Sequence, residues 1–222
     1  MNYLAHGLLA KEGSPEFRFG AMAPDFANIG RFSLNVMNPQ EILRLNHEQA
    51  AVQNGMKFHF RTDRIFDEQP LLREIKKQFR DVIAPRHLPE NFRQIGMIAS
   101  LGVDLLLDGH LQKTMPKALN LYEKTMKKVD KTAIGRAVHE PERFTEFIEG
   151  RTHIPDFDDA EQVTHILYWM VADRPRLALP GIMFERVRSA VEDYHELVSA
   201  QGDGLIDDTY DAVWDKQVLN AA

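Results

Sequence analysis

Two residues capable of acid–base or metal chemistry stand one helical turn apart. His59 and Asp63 follow Val52 and Met56 at helical spacing, in a segment from about Glu41 to Asp67 that we predict to be a helix. The pair falls on the face that would otherwise be buried. An unpaired buried charge is costly, so each side chain must be hydrogen-bonded or bind a metal. The spacing is compatible with two alternatives. One is a hydrogen-bonded His–Asp pair that caps a hydrophobic core, and the other is one half of a metal site.

A second polar pair lies on another apolar stripe. The residues Met97, Leu101, Asp104, Asp108 and Leu111 are separated by steps of 4, 3, 4 and 3, which is one face of a helix. We therefore interpret the two pairs as two sides of one polar site. Imidazole and carboxylate ligands together suit Mn, Fe, Zn or Mg, and the absence of cysteine excludes thiolate ligands.

Composition limits the function classes. A chain of 222 residues with 44% hydrophobic and 27% charged content is typical of a soluble globular protein, and we expect one domain over residues 1–222. The formal net charge of −6 argues against nucleic acid as the main ligand. The sequence has no apolar run of about 20 residues, so we expect no membrane span. The N-terminus lacks a signal peptide pattern, and zero cysteines fit a reducing cytoplasm.

The sequence predicts an all-α helical bundle, because no stretch alternates as a strand does. Helices are expected over Met1–Ala10, from Pro70 onward, and over Glu90–Asp108, Pro141–Gly150, Ala160–Ala172 and Pro180–Ala200. Gly109 is expected to end or bend the Asp104 helix. Gly202 and Gly204 are expected to end the Pro180–Ala200 helix, with Asp207 or Asp208 capping a last short helix through Trp214.

Two proline signals bear on the site. Pro24 predicts a turn that presents Asp25, either as a helix cap or as a metal ligand. Asn38-Pro39 predicts the start of the long helix that carries His59. No glycine-rich phosphate loop, GxSxG elbow or Rossmann fingerprint is present, so neither nucleotide binding nor serine catalysis is indicated.

Two stretches are locally basic. The helix from Pro70 is expected to expose Arg73, Lys76, Lys77 and Arg80. The run Lys113–Arg136 has two readings, a solvated helix face or a docking surface for an acidic partner.

Several segments, taken in order, resemble the acyl carrier protein phosphodiesterases, also called acyl carrier protein hydrolases. They are Met1–His6, Gly20–Phe26, His59-x3-Asp63-x3-Asp67-x2-Pro70, Phe79-Arg80, Val103-Asp104-x3-Asp108 and, more weakly, Arg174–Leu177. The family is similar to the HD-type metal-dependent phosphohydrolases, which are all-α proteins that hold a divalent metal, often manganese. The resemblance implies hydrolysis of the phosphodiester that joins 4′-phosphopantetheine to a serine of acyl carrier protein.

The resemblance also implies the roles of particular residues. Metal ligands or their immediate supports would be His6, Asp25, His59, Asp63, Asp104 and Asp108. A carboxylate such as Asp67 or Asp104 would orient the attacking water or take its proton. Lys113–Arg136 or Arg73–Arg86 would meet the acidic carrier protein.

The chain departs from its relatives at two places. Relatives have His-Arg where this chain has His59-Phe60, and Asp-His-Phe where it has Asp108-Gly109-His110. In an unbroken helix His110 lies about 200° around the axis from Asp108, so we expect it to point away from the site. Two alternatives stay open. One is an HD-like or zinc phospholipase C-like hydrolase that acts on another small phosphoester. The segment Gly20–Asp25 also resembles zinc-dependent phospholipase C-like proteins. The other is a non-catalytic helical protein with a structural metal.

Overall fold

The computed structural model describes residues 3–87, 95–151, 154, 156–172, 181 and 184–220. Within these residues the protein is all-α, as predicted, and the extended backbone forms only an isolated antiparallel bridge between Leu34 and Val138. In the described ranges, no helix is long and apolar enough to cross a membrane. The weaker resemblance at Arg174–Leu177 lies outside the described residues.

The described residues form eleven helices. They are α1 (Tyr3–Leu9), α2 (Pro15–Gly30), α3 (Pro39–Ile42), α4 (His47–Glu68), α5 (Pro70–His87), α6 (Ile95–Thr114), α7 (Pro116–Lys128), α8 (Lys131–Ile134), α9 (Pro141–Glu149), α10 (Ala160–Ala172) and α11 (Phe184–Asn220). The predictions of helices at α1, α9 and α10, and of a helix that begins at Pro70, are confirmed.

The chain divides into two compact units. The first comprises Met1–Arg64 and Met115–Ile154, and the second comprises Ile65–Thr114 and Pro155–Ala222. In the first unit, α1 packs on α2 and α7, and α2 also packs on α7, α8 and α9. In the second unit, α11 packs on α5, α6 and α10, and α6 packs on α5 and α10. The single domain expected for residues 1–222 stays a prediction.

Aromatic side chains fill the core of the first unit. The Tyr3 and Phe26 rings stack with their centroids 4.9 Å apart, and Phe19 meets Phe144 edge-on at 6.3 Å. All four residues are buried. Aromatic pairs of this kind contribute about 0.5–1.5 kcal/mol beyond the area that they bury. The core therefore fixes α1 and α2, two of the helices that carry the predicted ligands.

Helix α2 begins at a local signal and continues through a residue that was predicted to break it. Ser14 is its N-cap and accepts a hydrogen bond from the Phe17 amide at 3.2 Å. The helix then continues through Pro24, so the prediction that a turn or a cap presents Asp25 was wrong. An interior proline costs about 3 kcal/mol because it lacks an N–H and crowds the preceding turn. The buried residues of α2, which include Phe19, offset that cost.

Helix α4 begins later than predicted. Asn38 caps the short helix α3 in a capping box with Glu41. The Asn46 side chain accepts the Gln49 amide at 2.8 Å, and α4 begins at His47. The predicted start at Asn38-Pro39 was therefore wrong, because two asparagine caps lie eight positions apart and the second one precedes the long helix.

Glycines let α2 and α4 approach each other closely. A Cβ atom on Gly20 would lie 2.1 Å from the Val52 carbonyl oxygen, and one on Gly55 would lie 2.1 Å from the Phe17 carbonyl oxygen. Any larger residue at either position would push the helix backbones apart. This crossing sets the distance between α2 and the part of α4 that leads to His59.

The predicted break at Gly109 was wrong, since α6 runs through it to Thr114. A Cβ atom on Gly109 would lie 2.4 Å from the Phe157 carbonyl oxygen, so the glycine is needed for packing within the second unit and not for a helix end. Gly202 and Gly204 likewise lie inside the single helix α11, and the predicted short last helix was wrong. A Cβ atom on Gly202 would lie 2.5 Å from Cδ2 of His110.

Candidate metal centre

Helices α1 and α4 bring two histidines to one carboxylate in the first unit. His6 Nε2 lies 3.0 Å from Asp63 Oδ1, and His59 Nε2 lies 3.2 Å from Asp63 Oδ2. The two imidazole rings stack with their centroids 3.8 Å apart. Both histidines are buried, whereas the Asp63 side chain is about one-third exposed. The predicted pairing of His59 with Asp63 across one turn of α4 is therefore confirmed.

The Nδ1 atom of each imidazole ring, which faces away from Asp63, is hydrogen-bonded to a neighbouring residue. His59 donates from Nδ1 to the Ala21 carbonyl oxygen at 2.8 Å, and a carbonyl can only accept. Thr62 donates its hydroxyl proton to the His59 carbonyl oxygen at 2.9 Å, and the same oxygen lies 3.0 Å from His6 Nδ1. In this arrangement Thr62 accepts from His6 Nδ1. When both rings are neutral, both Nε2 atoms then present lone pairs to Asp63.

A cation between the two Nε2 atoms and Asp63 would remove the repulsion among them. Lone pairs and a carboxylate repel one another unless a proton or a metal ion lies between them. Two ligands of one ion with bonds of about 2.0–2.2 Å lie about 3.0–3.4 Å apart, which matches the two distances to Asp63. The group His6, His59 and Asp63 places one ligand atom from each residue within 4.8 Å of the others. The donor set and its spacing therefore fit a divalent metal.

Asp25 lies beside this cluster. Its Oδ2 is 3.8 Å from His6 Nε2 and 3.9 Å from His59 Nδ1, and its side chain is 15% exposed. The structure thus places Asp25 on α2 facing both imidazoles, although it is outside the three-residue group whose ligand atoms lie closest together. Its assignment as a ligand stays a prediction.

The environment of the cluster shifts the pKa values of the two histidines in opposite directions. Burial, together with the positive charge of neighbouring His59, lowers the pKa of His6 to about 3. Burial also lowers the pKa of His59, but the Asp25 and Asp63 carboxylates outweigh it and raise that pKa above its usual value. Burial raises the pKa of Asp63, but hydrogen bonds to His59 and His6 hold it well below its usual range. In the metal-free cluster these shifts favour the protonated form of His59 and the ionised form of Asp63.

Asp104 and Asp108 lie four residues apart in α6, as predicted, and belong to the second unit. Asp108 is buried and the Asp104 side chain is 15% exposed. Their predicted participation in one site with His59 and Asp63 stays a prediction. His110, on the same unbroken helix, is buried and bonds to Asp203 at 2.7 Å.

Sequence reasoning misplaced Lys76. It was expected on an exposed face, but its Nζ lies 3.0 Å from Asp67 Oδ1 and 3.7 Å from Asp104 Oδ1. The ammonium also lies 5.9 Å from the centre of the Phe66 ring. Lys76 thus links the two carboxylates that were predicted to act on water. Even with this contact, the Asp67 side chain is 63% exposed.

Thr62 and the Ala21 carbonyl were also missed. Thr62 is fully buried three residues after His59, so its position on the helix is a usable signal. A backbone carbonyl carries no sequence signal. The first unit also contains a surface groove of about 620 Å³ between Asn35, Arg136 and Thr145, and none of the predicted ligands lines it.

The fold and the site define an all-α protein with a cluster of two buried histidines and one partly exposed aspartate that is suited to a metal. A family model described as acyl carrier protein phosphodiesterase matches residues 1–200. The chain therefore belongs to that family. Comparisons with curated proteins and with solved structures found no match. The similarity to HD-type phosphohydrolases stays a prediction.

Proposed function

We propose that the protein is a metal-dependent phosphodiesterase that releases 4′-phosphopantetheine from holo-acyl carrier protein. Family membership over residues 1–200 supports the substrate class. The observation that carries the metal dependence is the convergence of His6 and His59, through their Nε2 atoms, on the Asp63 carboxylate. Metal ligands commonly have their second ring nitrogen fixed by a carbonyl or another acceptor, as Ala21 and Thr62 fix these two.

The residues of the cluster would hold and orient the reacting groups. His6 and His59 would bind the metal through Nε2, and Asp63 would bind it as an ionised carboxylate. A bound divalent metal would polarise the phosphoryl oxygens and lower the pKa of a coordinated water. We propose manganese, with Fe, Zn and Mg as alternatives for the same ligand types.

The proposed reaction is a hydrolysis that balances without any further reactant. The oxygen of water forms a bond to phosphorus, and the bond from phosphorus to the serine oxygen breaks. One proton of the water goes to a carboxylate, for which we propose Asp67 or Asp104, and the other stays with the new phosphate group. The carboxylate then releases its proton and the departing serine oxygen takes up one proton, so the proton count is unchanged. The products are apo-carrier and 4′-phosphopantetheine.

A cluster without metal is the main rival to this proposal. A protonated His59 donates to both Ala21 and Asp63, and His6 could donate from Nε2 to Asp63 while Thr62 donates to its Nδ1. That network satisfies each ring and would be purely structural. Elemental analysis of the purified protein separates the two, because the structural network predicts no bound transition metal.

One observation favours a second substrate class. The family resemblance implies a histidine where this chain has Gly109, and a Cβ atom at position 109 would lie 2.4 Å from the Phe157 carbonyl oxygen. The packing of this chain therefore has no space for a histidine there. The second candidate is hydrolysis of another phosphoester, and a panel of small phosphodiesters would reveal it.

The test is intact-mass spectrometry of holo-acyl carrier protein after incubation with the manganese-loaded protein. The proposal predicts that the carrier loses the mass of the 4′-phosphopantetheine group. EDTA treatment or His59→Ala should prevent the loss, whereas His165→Ala, which changes an exposed histidine, should not. An intact holo-carrier, combined with turnover of a small diester such as bis(p-nitrophenyl) phosphate, would favour the second candidate.

A further inference from the structure

Helix α4 carries a second functional face beside the metal cluster. At 100° per residue, Lys57, Arg61 and Arg64 fall within about 60° of arc, and Phe60 lies between that arc and Asp63. We call Lys57, Phe60, Arg61 and Arg64 the α4 surface. All four residues belong to the first unit.

The α4 surface combines an exposed aromatic ring with positive charge. Phe60 is 42% exposed, which makes it one of few large apolar side chains exposed in the described part of the chain. Across the described ranges, Lys57 and Arg64 form none of the observed ion pairs. The chain as a whole carries a net charge of −6, whereas the stretch from Lys57 to Arg64 holds three cations and one carboxylate, Asp63, which is a local excess of positive charge.

The α4 surface adjoins the candidate site. The Phe60 ring meets the His59 ring edge-on, with centroids 5.3 Å apart. Arg64 directly follows Asp63 on the helix. A molecule bound to this surface would therefore lie next to the His6, His59 and Asp63 cluster.

We propose that the α4 surface is the docking surface for the acidic carrier protein, around the serine that bears the phosphodiester. This inference rests on the proposed function. Carboxylates of the carrier would pair with Lys57, Arg61 and Arg64, and an apolar side chain close to the modified serine would pack on Phe60. The cations steer the encounter, and an aromatic anchor in the contact slows dissociation.

Helix α7 offers a matched control. Lys127 and Lys128 are exposed on it, and removing both changes the net charge by the same two units as removing Lys57 and Arg64. Lys127 lies 3.7 Å from Glu123 on its own helix, as expected for a solvated face. The sequence offered docking as the alternative for this run, so the comparison decides between the two surfaces.

The experiment measures binding of apo-acyl carrier protein, whose serine is unmodified, to the manganese-loaded protein at low and at high salt. Lys57→Ala with Arg64→Ala should slow association about tenfold at low salt and flatten its salt dependence. Phe60→Ala should speed dissociation about fivefold. Lys127→Ala with Lys128→Ala should leave both rates within twofold. Thermal melting of each variant checks that it is folded. Arg64→Gln alone removes one charge instead of two and keeps a longer polar side chain at that position.

The outcomes separate this inference from the proposed reaction. Equal losses in the α4 and α7 variants, or no carrier binding by the wild type, would overturn the docking surface. Release of 4′-phosphopantetheine by an α4 variant that binds the carrier normally would also overturn it, while the reaction stands. Carrier binding that follows the α4 pattern without any release of the prosthetic group would support the surface and refute the reaction.

Discussion

The Ala21 carbonyl oxygen accepts a hydrogen bond from His59 Nδ1 at 2.8 Å, and this contact determines which nitrogen His59 can offer to a ligand. Ala21 follows Gly20, whose missing side chain lets α2 approach Val52 of α4. The tautomer of a candidate ligand therefore depends on the close crossing of two helices.

The histidines of the metal-free protein should titrate far apart. His59 should stay protonated above pH 6.5, because nearby carboxylates raise its pKa, and His6 should stay neutral until about pH 3. Neutral His6 stabilises the fold above pH 6.5, and this contribution is lost as the pH falls toward 3. Protonated His59 stabilises the fold below pH 6.5, and its contribution is lost as the pH rises through the raised pKa. Ring-nitrogen NMR measures both titrations, and two ordinary curves near pH 6.5 would contradict the structure.

Alanine at the helix crossing should destabilise the fold. Gly20→Ala or Gly55→Ala places a Cβ atom about 2 Å from a carbonyl oxygen, so each should cost about 1–3 kcal/mol or more in urea unfolding. Each should also weaken metal binding, because the Ala21 carbonyl moves away from His59. Gly204→Ala is the control. Position 204 lies in α11 with open space around it, and alanine there should raise stability by up to about 1 kcal/mol. Equal effects at positions 20 and 204 would show that the crossing is looser than described.

Asp104→Asn should abolish turnover of any phosphodiester while the fold is retained. The carboxylate lies 3.7 Å from Lys76, which keeps its closer partner Asp67 at 3.0 Å when Asp104 loses its charge. The free energy of unfolding should therefore change by less than about 1 kcal/mol. Steady-state kinetics with circular dichroism melting measures both quantities. Full activity in Asp104→Asn would remove this residue from the proposed machinery.

His110→Ala should affect stability more than catalysis. His110 is buried, bonds to Asp203 and packs on Gly202, so its removal should cost about 1–3 kcal/mol. Because α6 is unbroken, His110 lies about 200° from Asp108, and turnover should fall less than about tenfold. His59→Ala should remove turnover altogether. A loss in His110→Ala as large as that in His59→Ala would place His110 in the catalytic site.

Local sequence signals predicted the fold class and one pair of candidate ligands. The helical spacing of His59 and Asp63 is a property of one helix, so it could be seen without a structure. The pairing of His6 with the same carboxylate joins positions 57 residues apart, and only the family resemblance suggested it. No local pattern encodes that contact.

The failures have a common cause in tertiary packing. Pro24, Gly109 and Gly202 look like helix breaks to a local reading, yet each lies inside a helix. The two glycines are required because a carbonyl or an imidazole passes close to them. Lys76 was placed on the surface because its partner Asp104 belongs to another helix.

Metal-dependent stability tests the central claim most directly. The melting temperature of EDTA-treated protein would be measured as manganese is added, for the wild type, Asp63→Asn and Asp67→Asn. At a hundredfold excess over Kd the ion stabilises by about 2.7 kcal/mol, which corresponds to about 5–11 °C for a chain of this size. The account predicts that rise for the wild type and Asp67→Asn, and its absence in Asp63→Asn. A wild-type melting temperature that does not change with manganese, iron, zinc or magnesium would contradict it.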